Sequence, residues 1–129
     1  MSPQEVRQHM EKAQVFLFTS DQNEGWGAVL NEAMNSACAV VANRQIGSVP
    51  YLVQDGYNGL VYDGNEVEVL ISKVKTLLNE NETKKKLGNH AYKTLVNIWN
   101  ARVAAERLCS FVNNCGIPKD NGPLQREEK

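Results

Sequence analysis

Two continuous apolar runs, Val15–Phe18 and Ala39–Ala42, are too short for helices and show no alternation with polar residues. Such runs suit parallel strands covered on both faces, because a half-exposed strand alternates apolar and polar positions. Leu60–Tyr62 adds a third short strand between the turn-rich segments 55–59 and 63–65. Around these strands the apolar spacing becomes helical. Val6, Met10 and Ala13 recur at i, i+4 and i+7 behind Ser2 and Pro3, which read as N-cap and first helical residue. Val29, Leu30, Ala33, Met34 and Ala37 form one stripe, with Ala28, Asn31, Glu32 and Asn35 on another face. Ser48 is expected to cap a short turn. Val67 to Leu78 marks a long amphipathic helix, and 82–95 a second, weakly interrupted at Gly88. A last helix runs from Asn100, as N-cap, toward Gly116.

Strands alternating with helices call for a parallel sheet with right-handed crossovers. The fold class expected is α/β, half of a Rossmann-like sheet of about three strands flanked by helices. Residues 1–116 form one domain in this reading, and 117–129 a polar, mobile tail. A strand as apolar as Val15–Phe18 is ill suited to an open edge, where unpaired backbone groups and apolar side chains face water. Either upstream chain or a second copy, in a homodimer through that edge, is expected to cover it.

Composition narrows the chemistry. The chain has 129 residues, 42% of them hydrophobic, enough for one core. Its 14 basic and 15 acidic residues give a net charge of −1, so no global field exists to hold nucleic acid. An anion site would have to come from backbone geometry. Cys38, Cys109 and Cys115 lack metal-ligand spacing, and no N-terminal apolar leader or long apolar window is present. The expectation is a reduced, cytoplasmic protein.

The stretch 21–34 carries the candidate chemistry. It leaves the first strand through Thr19 and Ser20, passes Glu24, Gly25, Trp26 and Gly27, and enters the helix at Ala28 and Val29. The glycines permit close backbone approach, and early helical N–H groups lack intrahelical partners, so an anion fits there. Glu24 precedes the helix. Glu32 lies about five residues in, roughly 7 to 8 Å along the axis, a separation suited to two ends of one ligand.

Three ordered segments then resemble the group one retaining nucleotide-sugar glycosyltransferases of GT-B fold. Glu24 to Met34 is similar to that family's glutamate, seven residues, glutamate motif. Ala39–Ala42 followed by 46–50 looks like its apolar strand and glycine-containing loop, and 55–61 like its Asp-Gly, Asn-Gly turn and following strand. Lys84 to Gly88 and the helix around Trp99 to Phe111 are similar to the segment closing its donor domain. The resemblance implies the C-terminal, donor-binding part of such an enzyme, taking a nucleotide sugar as substrate with no cofactor and no metal. Glu32 would accept the ribose hydroxyls. The N–H groups of Gly25, Trp26, Gly27, Ala28 and Val29 would face the diphosphate and the sugar, and Glu24 would hold the donor sugar and orient its anomeric carbon, the catalytic role.

Departures from the family pattern limit what carries over. Tyr51 stands where the family often has glutamate, and Ala37 where glycine is common. The family's basic pair on the diphosphate and its acceptor domain lie upstream of residue 1. Weak nucleotide binding and no turnover are therefore expected of this chain alone. A longer form would act in glycan biosynthesis, cytoplasmic or peripheral to the inner face of a membrane.

Other readings stand beside this one. A half-length domain that dimerises and keeps nucleotide-sugar affinity would be a non-catalytic assembly module. A receiver-like signalling domain would need aspartates clustered at strand ends, and Asp21 stands alone. Trp26 is as well explained by packing as by ligand contact, and Asn31 either helps the base end of a nucleotide or faces water. His9, His90 and Lys84–Lys86 read as exposed helix residues, and Cys109 and Cys115 as helix-packing or terminal residues.

Overall fold

The computed structural model describes residues 1–113. The expected end of the domain at 116, the tail 117–129 and Cys115 lie outside the described residues. The elements are α1 (Pro3–Lys12), β1 (Val15–Phe18), α2 (Val29–Asn35), β2 (Ala39–Asn43), α3 (Val49–Leu52), β3 (Leu60–Tyr62), α4 (Val67–Asn79), α5 (Asn81–Asn97) and α6 (Ala101–Asn113). The strands form a three-stranded sheet in the order β1-β2-β3. Both pairings are parallel, with Val15 opposite Ala39 and Val41 opposite Leu60. Every residue of the central β2 is buried.

Alternation along β2 divides the core by sheet face. Val40 and Ala42 pack with Phe18, Val61, Leu30, Ala33 and Met34, and with Ala91 and Leu95 of α5. Ala39 and Val41 point the other way, into Tyr62, Leu77 of α4 and Leu87 of α5. Edge strand β1 is less covered than its sequence implies. Phe18 is buried and Phe16 half-buried against the first cluster, but Leu17 is 47% exposed. An apolar run was read as covered on both faces; here its outer edge has no neighbouring strand among the described residues.

Local signals explain most helix ends. Ser2 caps α1 in a reciprocal capping box with Glu5, whose carboxyl is held below the usual range by hydrogen bonds from the Ser2 backbone and side chain. Ala13 lies outside the helix as its C-cap. Asn100 caps α6 by accepting the Val103 N–H at 3.0 Å. No residue of α6 is buried. Ser48 departs from expectation: it precedes α3, but its side chain makes no capping bond, and its Oγ is buried without a partner among the described residues.

Helix α2 ends before Ala37, so that residue leaves the apolar stripe and is exposed. The Cys38 N–H donates to the Ala33 carbonyl and the Ala37 N–H to the Met34 carbonyl, each at 3.1 Å. That bond pair defines a Schellman motif, whose left-handed position suits glycine; Ala37 occupies it at φ 58°. Gly88 does not interrupt α5, which runs continuously from 81 to 97. It is buried where a Cβ would collide with the Ala37 carbonyl oxygen, so the glycine lets α5 settle on this turn. The Cys38 thiol donates to the Met10 carbonyl at 3.2 Å, tying the end of α1 to the start of β2.

Candidate functional site

In an open parallel sheet, ligands bind beyond the carboxyl ends of the strands, where successive loops converge. Here those loops are 19–28 after β1 and 44–48 after β2. They are joined by backbone bonds: the Gly47 N–H donates to the Gly25 carbonyl at 3.2 Å and the Ser48 N–H to the Trp26 carbonyl at 3.1 Å. Gly47 has to be glycine, since a Cβ would strike the Gly25 carbonyl oxygen.

The two loop glycines have different reasons to be there. Gly27 adopts φ 72° and is closely packed, a Cβ meeting the Phe18 ring at 2.8 Å. Gly25 has no atom within 4 Å of the place its Cβ would take. Neither φ nor packing demands glycine at 25, and its open face leaves the backbone approachable.

Asp21 organises the entry to the loop. Its side chain accepts the Asn23 N–H at 2.8 Å and its carbonyl accepts the Glu24 N–H at 3.1 Å. Beyond Glu24, the successive N–H groups from Gly25 to Val29 make no hydrogen bond among the described residues; pairing resumes at Leu30, which donates to Gly27 at 3.0 Å. A run of unpaired donors at the mouth of a helix is suited to an anion.

Both carboxylates are available as acceptors. Glu32 is exposed, Glu24 half-buried, and neither side chain has a hydrogen bond or ion pair among the described residues. Glu32 belongs to the first turn of α2, nearer the entrance than expected, because the helix begins only at Val29. Three residues on from Val29 is roughly 4.5 Å along the axis. The structure does not bring the two acids into one enclosed pocket. Glu32 lines a cleft of about 410 Å³ between α1 and α2, with Met1, Pro3, Val6, Arg7 and Met10 along its other wall. Glu24 lies on the loop outside it.

The sequence reading missed that wall. Its signal was the amphipathic pattern of α1, read only as packing. Asn43 was missed as well: this buried residue donates from Nδ2 to the Ser20 carbonyl at 2.9 Å and accepts, at Oδ1, the N–H groups of Gln45 and Gly64, each at 3.1 Å. Asn31, half-buried, has a partner within the chain. Its Oδ1 accepts the Trp26 indole N–H at 3.1 Å. His90, read as exposed, is partly buried and stacked on Tyr57 at 4.4 Å, with Nδ1 2.9 Å from the Tyr57 carbonyl.

Comparison with known proteins agrees with this architecture. Residues 1–94 match the family model for glycosyl transferases group 1. An uncharacterized glycosyltransferase of Methanocaldococcus jannaschii is 37% identical over 86 residues, which are 67% of this chain and 24% of that protein. The D-inositol 3-phosphate glycosyltransferase of Corynebacterium efficiens is 31% identical over 81% of this chain and 24% of its own length. The chain thus spans about a quarter of these relatives. Among solved structures, Anabaena HepE in complex with UDP superposes with a TM-score of 0.72 at 21% identity, covering 83% of this chain and 29% of that one. The C-terminal domain of a group 1 glycosyl transferase from Francisella tularensis gives 0.70 at 22% identity, covering 78% of this chain and 50% of that one. The fold is that of the C-terminal domain of GT-B glycosyltransferases, and the chain belongs to the glycosyl transferases group 1 family.

Proposed function

We propose that this chain is the donor-binding part of a retaining nucleotide-sugar glycosyltransferase. The observation that carries the reading is the run of unpaired N–H groups from Gly25 to Val29, flanked by the unpaired carboxylates of Glu24 and Glu32. A nucleotide sugar offers ribose hydroxyls, a diphosphate and sugar hydroxyls in that order. Glu32, in the α1–α2 cleft, accepts the ribose hydroxyls in charge-assisted bonds. The N–H run faces the diphosphate. Glu24 accepts from the sugar and orients its anomeric carbon. As the bond from that carbon to the diphosphate breaks, negative charge grows on the leaving group, where fixed N–H dipoles stabilise it more in the transition state than in the ground state. No metal and no cofactor enters this reading.

UDP in one HepE structure, and UDP-glucose in another, support a nucleotide-sugar donor. The acceptor surface and the remaining contacts to the diphosphate would come from chain beyond these residues, so the chain alone binds weakly and turns nothing over. The open edge of β1, with Leu17 exposed, favours a second reading, in which another copy pairs there and the protein serves as a nucleotide-sugar-binding assembly module.

Calorimetric titration with a panel of nucleoside diphosphates tests the proposal. Glu32→Ala should weaken binding by roughly 1.5 to 3 kcal/mol, the usual range for a hydrogen bond to a charged group. Unchanged affinity would place the ribose elsewhere.

A further inference from the structure

We propose that Trp99 and Asn31 are positioning residues for the loop 24–27, acting through Trp26; this rests on reading that loop as part of the donor site. The loop backbone is already held by the Gly47 and Ser48 N–H groups and by the packing of Gly27 on Phe18; Trp26 adds the side-chain restraint. Gly25 and Gly27 flank Trp26 without side chains, so between Glu24 and α2 the indole is the one side chain that can anchor the loop. Although 42% exposed, that indole is fixed from three directions, one of them a tilted contact with the Tyr51 ring at 5.9 Å. Its N–H donates to Asn31 Oδ1 at 3.1 Å, which ties the loop to the helix it leads into. Its ring stacks on Trp99 at 5.8 Å with 14° between planes.

Trp99 is itself held firmly. It packs against the core, and its backbone N–H donates to the Thr94 carbonyl at 2.9 Å at the end of α5. The clamp therefore runs from the α5–α6 joint, through Trp26, to the loop carbonyls of Gly25 and Trp26 that accept from Gly47 and Ser48. Holding a glycine-flanked loop in one conformation removes an ordering cost that a ligand would otherwise meet.

Amide hydrogen exchange of the chain tests this without any ligand. Trp99→Ala and Asn31→Leu should speed exchange at the Gly47 and Ser48 amides by about three- to tenfold, the factor an aromatic pair or a hydrogen bond supplies. The amides of Val40 and Val41 should keep their rates, and Trp99→Phe and Asn31→Asp should restore slow exchange. Unchanged rates at 47 and 48, or acceleration shared equally with 40 and 41, would overturn the proposal. UDP serves as the separate probe: failure of the unaltered chain to bind it counts against the donor-site reading, while the exchange rates still decide the clamp.

Discussion

The Asn43 side chain donates to the Ser20 carbonyl at 2.9 Å, fastening the end of β2 to the loop that leaves β1. Its oxygen meanwhile accepts from Gln45 and Gly64, so one buried amide joins the loops beyond all three strands. Removing it leaves a carbonyl and two N–H groups without their partners. Asn43→Ala should cost about 2 kcal/mol in urea unfolding, some of the loss being recovered by water at the exposed loop. A loss below half that would mean the loops are held by their backbone contacts alone.

Ala37 and Gly88 make a paired test of the turn after α2. Left-handed backbone is costly for alanine and free for glycine, so Ala37→Gly should raise stability by about 1 kcal/mol despite the greater freedom of the unfolded chain. Gly88→Ala should lower it by about 2 kcal/mol, as α5 is forced off the Ala37 carbonyl. Thermal unfolding of the two variants, monitored by circular dichroism, measures both signs.

Ser48 offers the opposite experiment. Its Oγ is buried and has no partner among the described residues, so the hydroxyl carries a desolvation cost that none of them offsets. Ser48→Ala should leave stability unchanged or raise it by up to about 1 kcal/mol. A clear loss would show that a bound water satisfies the hydroxyl.

Cys38 predicts a pH effect. Burial pushes its thiol above the ordinary range. In the unfolded chain a thiol ionises near about 8.5, whereas in the fold it keeps its proton to higher pH. Over that interval the unfolded state binds fewer protons, so stability is full below the unfolded value and falls as pH rises through the folded one. Denaturant unfolding across alkaline pH should show this decline, and Cys38→Ala should lessen it. Thiol labelling should modify exposed Cys109 at once and Cys38 only through opening of the fold.

How much of this was legible in the sequence depended on whether a signal was local. Uninterrupted apolar runs located the strands, and Ser2 and Asn100 announced helix starts because a cap is read from neighbouring residues. Tertiary packing was less visible. Gly88 looked like a helix weakness because nothing nearby in sequence reveals the Ala37 carbonyl pressed against it. Ser48 has the residue type of a cap, yet its backbone is helical at φ −81°, ψ −23°, and the side chain forms no capping bond. At the site, the two glutamates and the glycines were evident, but not that α2 begins only at Val29, which brings Glu32 nearer the entrance, nor that the cleft takes in Glu32 without Glu24. The cleft wall from α1 and the Asn43 hub were not evident, since both depend on which loops the sheet brings side by side.

Nuclear magnetic resonance titration of the labelled chain tests the central claim most directly. Uridine and UDP differ by the diphosphate, so only the second engages donors meant for an anion. UDP should shift the amide signals of Gly25, Trp26, Gly27, Ala28 and Val29 as a group, uridine should leave them nearly still, and both should move the Glu32 region of the α1–α2 cleft. UDP shifts gathered elsewhere on the surface, or the same pattern for both ligands, would contradict the account.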